Sequence, residues 1–283
     1  MKFLNSAKRA ALALSLLAAA LQPAFAQTAT APPAAAPASG GPVDAAKIQE
    51  LVIANHVLTD LNVIDGFGHI SMRHPTNPNR YLLSRSVAPA LVTADDIMEY
   101  DLDSNPVDAR GRNSFFERYI HGEIYKARPD VMAVIHTHSL GVIPFGIGGV
   151  PLRPVFLLGA FLSPSVPVFD IRKVAGQTNM LVGNPDLGKS LASKLGARSV
   201  ALLRGHGSVV VASTVPMAVF RAYYSNVNAA LQSQAMSLGG KVNYMQPEES
   251  QKTLATIENI HGRAWDLWKR AALEKMQPKP AAQ

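Results

Sequence analysis

Residues 131–138 read Val-Met-Ala-Val-Ile-His-Thr-His, and this stretch decides both the fold and the position of the site. The apolar, β-branched run 131–135 is typical of a buried strand. In an extended chain, residues two apart point to the same face, so His136 and His138 project together where the strand ends. The stretch therefore predicts two convergent imidazoles at one edge of a sheet.

Helix and strand patterns alternate on both sides of this stretch. Upstream, residues 114–127 have the pattern of a helix, which Pro129 forces to stop. Downstream, the apolar runs 199–203 and 208–212 flank a Gly-His-Gly kink and predict two paired strands. The remaining expected elements are strands at 68–73, 81–83 and 166–171, a capped turn at 93–96, and helices at 44–60, 214–238 and 246–272. Short strands mixed with helices predict an α/β fold, a three-layer α/β/α sandwich around a central, mainly antiparallel sheet.

The composition excludes several classes of protein. The chain has 283 residues, of which 48% are hydrophobic and 17% charged, enough apolar material for a substantial core. It contains no cysteine, which excludes disulfide scaffolds, cysteine nucleophiles and thiolate metal sites. The net charge is +7, but no basic cluster interleaved with aromatic residues is present, so we expect no nucleic-acid partner.

The first 43 residues predict an export signal followed by a linker. Three basic residues precede the apolar run 10–21, and Ala24-Phe25-Ala26 fits the small-x-small cleavage pattern. A membrane anchor is the alternative, but the apolar run is short for crossing a bilayer. We therefore expect an exported, periplasmic protein that has no membrane span once the signal is removed. The expected divisions are a signal peptide at 1–26, a flexible Ala/Pro-rich linker at 27–43, one domain at 44–273 and a disordered tail at 274–283.

A third histidine and a carboxylate extend the pair into a candidate metal site. His206 lies between two glycines, which allow the backbone to turn sharply and approach another group closely. Three imidazoles with an open position suit divalent zinc, manganese, iron or cobalt. Glu117, on the predicted helix before the strand, would complete the site and shares a helical face with His121. The alternatives are two buried, hydrogen-bonded histidines and a solvated helix carboxylate.

These motifs together resemble the class II aldolase/adducin family from about residue 48 to 238. The segments that carry the resemblance are Gly-His-Ile-Ser-Met-Arg at 68–73, Glu-Arg-Tyr-Ile-His at 117–121, Arg-Pro-Asp at 128–130, Val-Ile-His-Thr-His at 134–138 and Leu-Arg-Gly-His-Gly at 203–207. The resemblance implies a class II aldolase-like fold, with the metal held by His136, His138 and His206. It also implies that Glu117 is the catalytic acid/base, which can touch the metal, and that the chain forms a homo-oligomer, a tetramer with its sites between subunits.

The sequence departs from the sugar-phosphate aldolases of this family. Those enzymes place an asparagine after the first glycine, where this chain has His69, and a Thr-Gly-rich segment where it has Leu-Ser-Arg-Ser at 83–86. Arg85 offers a bidentate fork for a carboxylate. The amino-acid sequence of these segments resembles that of the family's decarboxylases, which act on hydroxylated aromatic dicarboxylates. The expected substrate-binding residues are His69, Ser71, Ser84 and Arg85.

The sequence thus predicts a divalent-metal-dependent carbon–carbon lyase that decarboxylates a hydroxylated aromatic or related carboxylic acid. One divalent ion per chain, zinc or manganese with iron or cobalt as alternatives, would stabilise the developing enolate. Glu117 or His121 would protonate the carbon. Three other functions are compatible with the resemblance: an aldolase for hydroxy-carbonyl compounds, a non-haem iron oxygenase, and a non-catalytic assembly domain.

Overall fold

The computed structural model describes residues 35–277. The predicted signal peptide, residues 27–34 of the predicted linker and residues 278–283 of the predicted tail lie outside the described residues. None of the described helices is long and apolar enough to cross a membrane.

A seven-stranded sheet forms the centre of the fold. The strands are β1 (His69–Arg73), β2 (Arg80–Ser84), β3 (Ile97–Asp101), β4 (Ala133–Thr137), β5 (Val168–Phe169), β6 (Val200–Leu203) and β7 (Gly207–Ala212). Their order across the sheet is β3-β2-β1-β4-β7-β6-β5. Every neighbouring pair is antiparallel except β5 and β6, so the predicted mainly antiparallel sheet is confirmed.

Helices cover both faces of this sheet. They are α1 (Ala45–Asp60), α2 (Tyr119–Ala127), α3 (Ile143–Ile147), α4 (Arg172–Ala175), α5 (Pro185–Leu195), α6 (Val215–Ser237), α7 (Pro247–Ile260) and α8 (Gly262–Met276). One core cluster joins the sheet to α1, α6, α7 and α8, and a second joins the opposite face to α2 and α5. The predicted α/β/α sandwich is therefore confirmed.

Side-chain alternation in β4 separates the two cores. Ala133 and Ile135 belong to the cluster on the α1 and α6 side, whereas Val134 belongs to the cluster under α2. Because successive residues of a strand point to opposite faces, His136 follows Val134 to the α2 side. The site therefore forms between the central strands and the layer that contains α2.

Several elements differ from the prediction. The sequence did not predict β3 or α5, and the expected strand 166–171 is reduced to the two residues of β5. The expected final helix 246–272 is two helices, because the helix is interrupted at His261, between Ile260 and Gly262. The expected helix 114–127 begins only at Tyr119, after a short 3₁₀ turn at Phe116–Arg118.

Defined contacts are present at both ends of the predicted domain. Asp44 caps the first helix through its side chain. Within the predicted linker, the backbone N–H of Gly40 and the hydroxyl of Ser39 both donate to the carboxylate of Glu99 on β3. At the other end α8 continues to Met276, three residues beyond the expected end of the domain.

Candidate metal centre

Strand register brings two of the predicted site residues together. β1 and β4 are antiparallel neighbours, and His69 lies directly opposite His136. Both rings lie on the α2 side of the sheet, because Ile70 and Ile135 beside them fill the core on the other side. The centroids of the two imidazoles are 5.2 Å apart.

The three predicted metal-ligating histidines converge on one point. His136 and His138 come from the end of β4, and His206 comes from the turn between β6 and β7. The Nε2 atom of His138 lies 3.1 Å from that of His136 and 3.2 Å from that of His206. The three ring centroids are 4.8 to 5.0 Å apart, so the rings surround a common centre.

Hydrogen bonds at the outer nitrogens orient two of these rings. Nδ1 of His136 lies 3.1 Å from the backbone carbonyl oxygen of Ser208, to which it donates. Nδ1 of His138 lies 3.3 Å from a carboxylate oxygen of Asp65. A proton on Nδ1 leaves the Nε2 lone pair free to bind a metal ion, and such outer partners are typical of metal-ligating histidines.

Glu117 adds a carboxylate to the cluster of histidines. Its Oε1 accepts a 2.8 Å hydrogen bond from the backbone N–H of Val182. Its Oε2 lies 3.6 Å from Nε2 of His136 and 3.5 Å from Nε2 of His206. One ligand atom from each of the four residues lies within 4.8 Å of the other three.

The predicted helical face shared by Glu117 and His121 is not present. Glu117 has φ −90° and ψ 18° in the turn before α2, which is outside the helical region. Because the chain kinks there, Glu117 points towards the three histidines, while His121 points from α2 towards His69.

Burial controls the protonation of this cluster. Burial raises the pKa of the Glu117 carboxyl to about 7. The hydrogen bond from the Val182 N–H acts in the opposite direction, because it stabilises the carboxylate. Burial, together with the charge of His138, lowers the pKa of His206 to about 4. Burial and the neighbouring imidazoles also hold the pKa of His136 well below its ordinary value. Neutral imidazoles are the form that binds a metal ion.

The donor set fits a divalent metal ion. Two imidazole nitrogens bound to tetrahedral zinc lie about 3.3 Å apart, given metal–nitrogen distances of about 2.0–2.1 Å. The separations of 3.1 and 3.2 Å between Nε2 atoms are close to this value. Three nitrogens and one carboxylate oxygen are compatible with zinc, manganese, iron or cobalt.

Two glycines allow His206 to reach the cluster. Gly205 has φ +65°, a conformation that side chains other than glycine rarely adopt. A Cβ atom on Gly207 would overlap the carbonyl oxygen of Thr137, so β7 can approach β4 here only with glycine. The close approach predicted for the Gly-His-Gly segment is thus confirmed.

An apolar cavity of about 460 Å³ opens onto the cluster. Phe67 and Phe116 are 74% and 56% exposed, unusually high values for phenylalanine, and both contribute to its wall. The lining residues are Gly66, Phe67, His69, Ser86, Val87, Ala88, Phe115, Phe116, Glu117, His138, Leu181 and His206. This volume is in the range of small-molecule sites, and the wall suits a flat apolar ring.

Two of the predicted site residues lie behind this cavity rather than in it. Nε2 of His121 lies 2.7 Å from Nδ1 of His69, and its Nδ1 lies 2.6 Å from the hydroxyl oxygen of Ser71. Both His121 and Ser71 are completely buried. Neither residue lines the cavity, whereas His69, which His121 contacts, does line it. Proton donation by His121 and direct substrate binding by Ser71 therefore stay predictions.

The other two predicted substrate-binding residues do not line the cavity either. Nε of Arg85 pairs with the carboxylate of Asp96, which is also the residue that closes the predicted capped turn. Ser84 is buried in β2. The neighbouring Ser86 reaches the wall instead, because the chain leaves the sheet after Ser84.

Sequence reasoning did not identify Asp65, Phe67, Phe116 or the Val182 N–H. They lie outside the strands and α-helices, so no periodic pattern marks them. The one available signal was sequence position, since the aromatic residues Phe67 and Phe116 each lie within two residues of a predicted site residue.

The fold and the cluster define a metal-binding α/β protein with the site at the ends of central strands of a mainly antiparallel sheet. The family model described as "Class II Aldolase and Adducin N-terminal domain" matches residues 49–233. The chain therefore belongs to the class II aldolase and adducin family, as its motifs predict.

Curated relatives include several decarboxylases. The chain is 35% identical over 246 residues to decarboxylase tropJ of Talaromyces stipitatus, covering 79% of this chain and 92% of the relative. It is 34% identical over 209 residues to a 3,4-dihydroxyphthalate decarboxylase of Arthrobacter keyseri, covering 68% of this chain and 79% of the relative.

Solved structures support the fold. An aldolase II superfamily protein from Pseudomonas syringae aligns with a TM-score of 0.68 at 21% identity, over 83% of this chain and 96% of that one. L-fuculose 1-phosphate aldolase from Glaciozyma antarctica aligns with a TM-score of 0.64 at 20% identity, over 82% and 93%. At these identities the likeness concerns the fold.

Proposed function

We propose that this protein is a divalent-metal-dependent decarboxylase of hydroxylated aromatic carboxylic acids. The observation that carries the proposal is the cluster of His136, His138, His206 and Glu117 facing a cavity walled by phenylalanine. The relatives at 35% and 34% identity support the reaction class, since both are named decarboxylases.

The substrate class follows from the cavity and the relatives together. The second relative acts on 3,4-dihydroxyphthalate, as its name states. Phe67 and Phe116 offer flat apolar surfaces for an aromatic ring. Among the described residues that line the cavity there is no lysine or arginine, which disfavours the phosphate group of a sugar-phosphate substrate.

His136, His138 and His206 would hold the metal ion, with Glu117 as a fourth ligand or as a neighbour. We propose one divalent ion per chain, zinc or manganese, with iron or cobalt as alternatives. When bound, such an ion supplies a Lewis acid that stabilises negative charge on an oxygen next to the reacting carbon.

Glu117 is the residue placed to move the proton. As the bond to the departing carboxylate breaks, its electron pair remains on the ring carbon, and that carbon then takes a proton. A neutral Glu117 carboxyl that is not bound to the metal ion can donate this proton from Oε2. The N–H of Val182 holds the other oxygen in place.

Anaerobic assay of the zinc- or manganese-loaded protein with 3,4-dihydroxyphthalate tests this proposal. We expect carbon dioxide release that stops when the metal is chelated. Glu117→Gln should lower the rate at least about 100-fold because the proton donor is lost. His56→Gln is the matched control: His56 lies on α1 and hydrogen-bonds to the carbonyl of Val92, outside the cluster.

No carbon dioxide from a panel of hydroxylated aromatic acids, with metal bound, would contradict the proposal. Aldol cleavage of L-fuculose 1-phosphate by the same preparation would favour the aldolase instead. A third relative, 30% identical over 155 residues, is named 4-hydroxy-3-prenylphenylpyruvate oxygenase. Oxygen consumption by the iron-loaded protein would favour that alternative.

We further propose that the protein is exported to the periplasm and acts there as a homotetramer. The basic and apolar pattern of residues 1–26 supports export, and family membership supports an oligomer. The N-terminal sequence of the secreted protein and its mass in solution test the two parts separately. A mature chain beginning at Gln27 and a mass of four chains are expected.

A further inference from the structure

Four buried side chains behind the cavity form one continuous hydrogen-bonded row. We call this row the buried relay; it consists of His69, His121, Ser71 and Tyr125. His69 and His121 are joined through Nδ1 and Nε2 at 2.7 Å, and His121 and Ser71 through Nδ1 and Oγ at 2.6 Å. The hydroxyl oxygens of Ser71 and Tyr125 are 2.8 Å apart.

The hydrogens of the relay can be placed by starting at Tyr125, the end of the row opposite His69, which we call its closed end. Within the part of the chain that the structure describes, Ser71 Oγ is the only acceptor that the hydroxyl of Tyr125 reaches. Tyr125 is completely buried, and a buried donor without an acceptor is costly, so Tyr125 donates to Ser71. Ser71 has one hydrogen, which it can then give to Nδ1 of His121.

The same direction continues to the cavity. A neutral His121 that accepts at Nδ1 carries its hydrogen on Nε2 and donates it to Nδ1 of His69. A neutral His69 that accepts at Nδ1 carries its hydrogen on Nε2. Burial favours the neutral form of His121, because it lowers the pKa of this imidazole to about 3.

The opposite direction would leave the closed end unsatisfied. If Nδ1 of His69 donated to His121, then His121 would donate to Ser71 and Ser71 to Tyr125. The Tyr125 O–H would then lack an acceptor among the described residues. The relay therefore has one preferred direction.

We infer that His69 presents an Nε2–H group to the cavity as a neutral hydrogen-bond donor for a carboxylate or phenolate oxygen of the substrate. Tyr125, Ser71 and His121 are then positioning residues that fix this tautomer. The inference rests on the proposed function for the identity of the substrate only.

The composition of the cavity wall gives this donor its importance. The described lining residues include no lysine or arginine, so among the residues of this chain an anionic substrate oxygen is left with neutral donors or with the metal ion. Besides His69, the lining residues with a side-chain donor that the metal ion does not occupy are Ser86 and Glu117 when protonated. A fixed Nε2–H orients the substrate without placing a full positive charge beside the metal.

Neutron diffraction of the zinc-loaded protein in heavy water tests the tautomer directly. We expect deuterium on Nε2 of His69, on Nε2 of His121 and on the Tyr125 oxygen, pointing to Ser71. Deuterium on Nδ1 of His69 with a bare Nε2 would overturn the inference. The measurement needs no substrate, so it stands apart from the failure of the proposed decarboxylation.

Two tyrosine variants test the effect on binding. Tyr125→Phe removes the hydroxyl that sets the direction, while Tyr81→Phe is a matched control. Tyr81 is equally buried and stacks on His121 at 6.3 Å, but its hydroxyl bonds to Ser104 outside the relay. Tyr125→Phe should weaken binding of 3,4-dihydroxyphthalate to the zinc-loaded protein on the order of ten-fold.

Calorimetric titration of both variants gives the binding result, and kinetics shows whether KM rises while kcat changes little. Tyr81→Phe should bind the acid within two-fold of the unmodified protein. Equal losses in the two variants would show that packing alone is responsible and would overturn the positioning role. Unchanged binding in Tyr125→Phe would overturn it as well.

Discussion

His121 makes the stability of the folded chain depend on pH. Its imidazole is completely buried, and burial lowers its pKa from 6.5 to about 3. Between these values the unfolded chain binds a proton at this position that the folded chain does not bind. Stability is therefore full above pH 6.5 and falls as the pH drops towards 3, by at most about 1.4 kcal/mol per pH unit for one proton.

His121→Gln should reduce this dependence. Urea unfolding of the variant between pH 4 and 6 should give a shallower slope of free energy against pH than the unmodified chain. His56→Gln, at a half-buried histidine outside the relay, is the control for the loss of one histidine. An identical slope in all three proteins would show that His121 is protonated in the folded state.

Individual residues of the cluster were predictable where a local rule applies. The two-residue period of a strand identified His136 and His138, and flanking glycines identified His206. Asp65 and Val182 were not predictable, because they reach the cluster from segments outside the strands and α-helices. Arg85 was misplaced for a related reason: its partner Asp96 becomes a neighbour only when β2 pairs with β3.

At the level of elements, the contact between β7 and β4 controls the position of His206. Gly207→Ala would force a Cβ atom against the carbonyl of Thr137, and one strand must shift. We expect a loss of about 1–3 kcal/mol in the free energy of unfolding and weaker metal binding. Chemical denaturation and metal titration measure the two effects.

Gly262→Ala is the matched control for this change. A Cβ atom there would meet nothing within 4 Å, and the residue begins α8, where alanine is favourable. Equal stability and metal affinity in the two variants would contradict the steric account of Gly207.

The central strands were predictable from their apolar runs, but the peripheral elements β3 and α5 were not predicted. In β3 the buried Met98 and Tyr100 alternate with the more accessible Glu99 and Asp101, a weak edge-strand pattern that follows the capped turn directly. The signal for α5 was present. Asn184 caps this helix by accepting from the backbone N–H of Leu187, and Leu187, Leu191 and Leu195 follow at intervals of four residues. The break at His261 carries no strong sequence signal, since glycine alone only weakens a helix.

For the molecule as a whole, the three-layer sandwich explains why the candidate metal ligands lie together at one cavity. Two helical layers bury both faces of the sheet, and the cavity opens where central strands end. The ends of β4 and β6 and the turn before α2 meet there and supply the four candidate ligands. The architecture was predictable from strand and helix patterns, whereas the cavity wall depends on loops.

The central claim is that His136, His138 and His206, with Glu117 beside them, bind one divalent metal ion. Elemental analysis of the purified mature protein, beside His136→Ala and the control His56→Gln, tests it most directly. We expect about one zinc or manganese ion per chain, retained in His56→Gln and lost in His136→Ala. Absence of metal from the unmodified protein after metal addition and dialysis, or full retention in His136→Ala, would contradict the claim.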